Sequence, residues 1–123
     1  MKIQESAEMY LETILVLRQK NGQVRSIDIA TEMGFSKPSV SFAMKRFREN
    51  GFIEVDEAGL ITLTAKGKEI AENVYERHQV LSKYFISIGV SEEVAQYDAC
   101  RIEHVISQET FEKMKAHVES LHS

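Results

Sequence analysis

The run from Ser26 to Leu63 constrains this chain most: two short amphipathic segments meet at a glycine and lead into a β-prone pair. Ser26 caps the first segment, which turns Ile29, Ala30 and Met33 inward, and Gly34 supplies the turn. Ser36 caps the second segment. The single proline, Pro38, falls in its first turn, where a missing N–H costs little. Val40, Ala43, Met44 and Phe47 form its apolar stripe, and Asn50-Gly51 ends it. Phe52 to Val55 and Leu60 to Leu63 flank Asp56-Glu57-Ala58-Gly59, which predicts a hairpin. Two helices around a tight glycine turn, followed by a wing, form the winged helix-turn-helix pattern, whose second helix enters the DNA major groove.

The flanks are helical. Residues 6–19 repeat Ala7, Tyr10, Leu11, Ile14 and Leu17 at helical spacing, with Ser6 as cap and Asn21-Gly22 as stop. Thr64 caps a long helix carrying Ile70, Val74, Leu81, Phe85 and Ile88 on one face, broken at Gly89. Ser91 caps the next, with Ala95, Ala99, Ile102 and Ile106 inward, and Ser107 caps the last, with Phe111, Met114, Val118 and Leu121 in line. The expected fold is mainly α with a small β-hairpin. A winged helix-turn-helix occupies residues 1–64 and a helical segment residues 65–123.

The net charge of −4 argues at first against nucleic acid, but its distribution is uneven. Val24 to Lys68 carries +1 and the remainder −5, so the modest positive excess sits on the reader. No run of about 18 apolar residues predicts a membrane helix. The acidic start Met1-Lys2-Ile3-Gln4-Glu5-Ser6 lacks the apolar core of a signal peptide. A lone cysteine, Cys100, excludes an internal disulfide and suits a reducing cytoplasm.

Two groups of residues carry chemistry. On the second helix of the reader, Lys37, Ser39, Ser41, Phe42, Lys45 and Arg46 face outward; hydroxyls and cations of this kind bond phosphates or base edges. Phe42 there either packs against thymine methyls, belongs to the core in a shifted register, or meets another protein. Farther on, Cys100, Glu103 and His104 form C-x-x-E-H on a predicted helix, where i, i+3 and i+4 share a face. Thiolate, carboxylate and imidazole together match a transition metal rather than calcium or magnesium. His78 lies on the apolar stripe of the preceding helix, and Met9 and Glu12 lie one turn apart on the first. Taken singly, each has a plainer reading as packing or solvated surface.

The chain resembles the iron- and manganese-dependent repressors related to diphtheria toxin repressor and the manganese transport regulator. The resemblance runs from Ala7 to about Leu121. It rests on Ala7-Glu8-Met9-Tyr10-Leu11-Glu12, Ser36-Lys37-Pro38-Ser39-Val40-Ser41, Leu63-Thr64-Ala65-Lys66-Gly67, Arg77-His78 and Asp98-Ala99-Cys100-Arg101-Ile102-Glu103-His104. It implies that Met9, Cys100, Glu103 and His104 match the primary metal site of the iron-type branch. Glu12 matches a manganese-type ligand position, and His78 a ligand in both. With sulfur at Met9 and Cys100 where the manganese branch has carboxylates, the expected metal is Fe2+ first and Mn2+ second; Co2+, Ni2+ or Zn2+ is expected to bind in vitro. Ser82 and Gln96 match ancillary-site positions but are weak ligands, while a second ion sharing Glu12, His78 and Glu103 stays open. Ser36, Pro38, Ser39 and Ser41 match DNA-touching positions, and Ser26 joins the expected DNA face.

The expectation is a cytoplasmic homodimeric repressor of metal-uptake genes on a palindromic operator, with metal as corepressor and no small organic substrate. One competing reading is a winged-helix regulator that senses oxidation through Cys100 without metal. A small metalloenzyme would need an open coordination position and a general base, and the sequence has no further catalytic pattern, so no enzyme is expected.

Overall fold

The computed structural model describes residues 3–121. Six helices and one hairpin follow in the order α1 (Ile3–Asn21), α2 (Ser26–Met33), α3 (Lys37–Glu49), β1 (Ile53–Val55), β2 (Ile61–Leu63), α4 (Ala65–Ser87), α5 (Glu92–Ile102) and α6 (Gln108–Ser120). The chain forms two compact units, Met1–Glu72 and Asn73–Ser123. The division falls inside α4, whose first two turns pack on the wing through Gly67 and Phe52.

In the first unit, α1 buries Tyr10, Leu11, Ile14, Leu15 and Leu17. It begins earlier than expected, so Ser6 is a helical residue rather than its cap. Ser26 is likewise the first residue of α2 and not its cap. Arg25 occupies the cap, and the Asp28 carboxylate closes it by accepting the Arg25 N–H at 2.8 Å. Gly34 follows in the left-handed region (φ 71°), which glycine enters without penalty. Ser36 does cap α3: its Oγ accepts the Ser39 N–H at 3.3 Å, and Pro38 sits in the first turn. The antiparallel hairpin pairs Ile53 with Leu63, Glu54 with Thr62 and Val55 with Ile61. Asp56 holds its turn, accepting the Ala58 and Leu60 N–H groups at 2.9 Å each. An aromatic series crosses this unit edge to face: Tyr10 meets Phe35 at 5.8 Å and Phe47 at 5.6 Å, and Phe47 meets Phe52 at 6.3 Å. Burial also raises the Tyr10 hydroxyl above the ordinary tyrosine range.

In the second unit, Val74, Leu81, Ala95, Ala99, Phe111 and Val118 are buried. Ser91 and Ser107 cap α5 and α6, accepting from the Val94 and Thr110 N–H groups at 3.4 and 3.2 Å. Ser107→Ala is expected to lower stability by about 1 kcal/mol, read as a shift of the urea midpoint; an unmoved midpoint removes the cap's role. Two stripe positions are corrected. Ile88 is 61% exposed because the chain leaves α4 at Ser87, and Leu121 is 51% exposed because α6 ends at Ser120. Ile86, Val94, Tyr97 and Val105 also present apolar surface on this unit.

Candidate metal centre and nucleic-acid interface

The donor groups of the second unit gather where α5 ends. The helix stops at Ile102, and Glu103 takes the C-cap, its N–H donating to the Ala99 carbonyl at 3.0 Å. The N–H groups of Val105 and Ile106 both turn back to the Ile102 carbonyl, at 3.0 Å each. The C-x-x-E-H stretch therefore runs from the last turn of α5 through its C-cap, where Glu103 keeps helical backbone, into the turn that follows. Cys100 lies exposed on the last turn of α5, while Glu103 and His104 lie in the turn that leads towards α6.

That turn buries Glu103 completely: its side chain is 0% exposed. Oε2 is 2.9 Å from His78 Nδ1, and Oε1 is 3.3 Å from His104 Nε2. The His104 side chain is 5% exposed and that of His78 25%. A carboxylate taken out of water costs several kcal/mol unless a cation compensates it. Each oxygen here faces an imidazole nitrogen, so one cation held by all three groups would compensate the charge. Two imidazoles and one carboxylate suit a first-row transition ion, and these residues fit it. Ser82, one turn beyond His78 on α4, is 8% exposed, and its Oγ has no hydrogen-bond partner among the described residues. Gln96 is exposed and donates to Glu92 Oε1 at 3.4 Å.

Met9 and Glu12 belong to the first unit. Both are half-buried on α1, and the Met9 carbonyl accepts the Thr13 hydroxyl at 2.8 Å. In the same unit α3 buries Val40 (0% exposed) and Met44 (4%), which turns the opposite face outward. Lys37, Pro38, Ser39, Ser41, Phe42, Lys45 and Arg46 are all exposed on it. Ser36 is exposed at its start and donates to Ser39 Oγ at 2.8 Å, and Ser26 is half-buried at the start of α2. Phe42 is 64% exposed, so the register that placed it in the core is wrong. The Arg46 guanidinium lies 5.9 Å from the Phe42 ring centroid, within cation–π range.

Two residues escape sequence reasoning. Arg25 ties the start of α2 to the wing, its Nε donating to the Ala58 carbonyl at 3.2 Å. Arg77 binds the Glu103 and Ile106 carbonyls. Neither role has a periodic signal, because each acts on a distant main chain; Arg77 enters the sequence reading only through the Arg77-His78 pair that carries the resemblance.

Comparison with known proteins agrees over most of the chain. Residues 2–59 match the family described as "Iron dependent repressor, N-terminal DNA binding domain". Residues 64–123 match "Iron dependent repressor, metal binding and dimerisation domain". The chain is 36% identical over 112 residues to the transcriptional regulator MntR of Salmonella typhimurium, covering 91% of this chain and 71% of that protein. It is 35% identical over 111 residues to MntR of Escherichia coli O157:H7, covering 90% and 72%. Among solved structures it is similar to a manganese-dependent transcriptional repressor in complex with manganese, with a TM-score of 0.84 at 23% identity, covering 92% of this chain and 52% of that one. The chain thus spans about half the length of that solved structure. With the two domains matched in order, the chain belongs to the iron-dependent repressor family, metal-dependent transcriptional repressors that join a DNA-binding winged helix to a metal-binding and dimerisation domain.

Proposed function

We propose that this protein is a cytoplasmic, non-enzymatic repressor of metal-uptake genes that reads a palindromic operator as a homodimer when loaded with metal. Residues 1–64 serve as the reader and residues 65–123 as the metal-binding and dimerisation segment. The observation that carries the reading is the buried Glu103 carboxylate, with one imidazole at each oxygen. His78, Glu103 and His104 hold the ion in this reading, with Cys100 from α5 and Met9 and Glu12 from α1 as further donors. When bound, the ion supplies positive charge at the buried carboxylate and a cross-link among its donors. Sulfur at Met9 and Cys100 favours Fe2+ over Mn2+. The manganese named for the solved relative supports Mn2+ as the second candidate.

On the reader, Ser36, Lys37, Pro38, Ser39 and Ser41 meet the DNA at the start of α3, Lys45 and Arg46 meet phosphates, and Ser26 flanks them. Phe42 offers its exposed ring to thymine methyls. The exposed apolar side chains of the second unit support pairing of two copies. Ligand binding shifts a population only through its differential affinity, so the loaded dimer must be the form that fits the half-site spacing.

The test is anaerobic fluorescence anisotropy on DNA from the protein's own upstream promoter, without metal and with Fe2+ or Mn2+. Tight binding only with metal, lost in His104→Ala, is the expected result. Under those conditions Lys45→Ala and Arg46→Ala should each reduce the slope of log K against log salt by about 1. The exposed Cys100 thiol favours one other reading, oxidation sensing without metal. Equal binding with and without metal, abolished by peroxide in the parent and not in Cys100→Ser, would establish that reading instead.

A further inference from the structure

Arg77 precedes His78 on α4 and is half-buried. Its Nη1 donates to the Ile106 carbonyl at 2.9 Å and to the Glu103 carbonyl at 3.3 Å, and its Nη2 donates to Gln108 Oε1 at 2.7 Å. The guanidinium carbon lies 5.3 Å from the Phe111 ring centroid. One side chain thus binds the C-cap of α5, the turn after it and the first residue of α6, while stacking on the core of α6. Carbonyls at a helix end lack intrahelical donors, and a planar fork of N–H groups satisfies several at once.

Glu103 is consequently gripped by two consecutive residues of α4. His78 holds its carboxylate at 2.9 Å and Arg77 its carbonyl at 3.3 Å. Consecutive helical residues project about 100° apart, so the two contacts approach from different directions and fix both position and rotation. Freed from Arg77, the main chain at Glu103 can rotate, and the carboxylate then has to be reoriented at the moment of binding.

We propose that Arg77 is the positioning residue of the metal centre: it presets the Glu103 carboxylate for the ion and transmits ligation at Glu103 to the start of α6. The proposal rests on the reading of His78, Glu103 and His104 as metal ligands. Loss of groups that orient ligands typically costs 10–100-fold in metal affinity.

The experiment is anaerobic titration of the purified full chain with Co2+, recording the ligand-field absorption, for the parent, Arg77→Ala, Arg77→Lys and Ser107→Ala. Arg77→Ala is expected to weaken Co2+ binding by about 10–100-fold and to alter the band positions of the loaded protein. Arg77→Lys keeps the charge but not the fork, and should fall between it and the parent. Ser107→Ala loosens the same end of α6 without touching Glu103, and should stay within about twofold of the parent with unchanged bands. Parental affinity and spectrum in Arg77→Ala, or a loss no greater than that of Ser107→Ala, would overturn the proposal. Where Arg77→Ala fails to fold, Arg77→Lys decides by the same two criteria. A parent that does not bind Co2+ at all overturns the underlying metal-site reading, and the proposal with it.

Discussion

Glu103→Gln is expected to raise the dissociation constant for the activating metal by at least about 100-fold and to remove metal-dependent DNA binding. Groups that only orient a ligand already cost 10–100-fold, so loss of the ligand itself should cost no less. The carboxylate is 0% exposed and offers one oxygen to His78 and the other to His104. Glutamine keeps the shape but loses the charge, and it replaces one acceptor with a donor amide. An ion at this site loses the charged oxygens that His78 and His104 flank. Helical circular dichroism matching the parent, together with a flat metal titration, would assign the loss to ligation rather than folding. Metal affinity within tenfold of the parent would remove Glu103 from the site.

The second large effect concerns the scaffold. Gly67 lies in the first turns of α4, where alanine would ordinarily gain about 1 kcal/mol over glycine. Here the sign reverses. A Cβ at residue 67 would stand 2.1 Å from the Phe52 carbonyl oxygen and 3.0 Å from its carbon. That main chain cannot retreat freely. Its oxygen accepts the Thr64 N–H at 3.1 Å, and the neighbouring Gly51 carbonyl accepts the Thr64 hydroxyl at 2.6 Å. Overpacking costs typically 1–3 kcal/mol, and against backbone the upper end applies. Gly67→Ala is therefore expected to destabilise the protein by about 3 kcal/mol in urea denaturation. A change under about 0.5 kcal/mol would mean that the wing yields to the helix.

The sequence was most legible where a short polar residue meets an apolar period. Ser36, Ser91 and Ser107 cap the helices expected of them, and the hairpin forms around Asp56. It was least legible where tertiary contacts overrode the local pattern. From Cys100 to Ile106 there is no glycine or proline to stop a helix, so the period runs on. The chain turns at Glu103 nonetheless, where Arg77 takes up the carbonyls that a longer α5 would have bonded internally. Glu103 meets its imidazoles at the neighbouring His104 and at His78 on α4. Ile88 and Leu121 were read inward because periodicity reports apolar character and not what covers it. Their exposure suits a unit matched to a dimerisation domain.

The edge-to-face series Tyr10–Phe35, Tyr10–Phe47 and Phe47–Phe52 gives the reader a mechanical property. It bolts α1 to the turn before α3, to α3 itself and to the residue that opens the wing. Interiors packed in this way have low compressibility. A displacement of α1 is therefore passed by direct ring contact to α3 and to the residue that opens the wing.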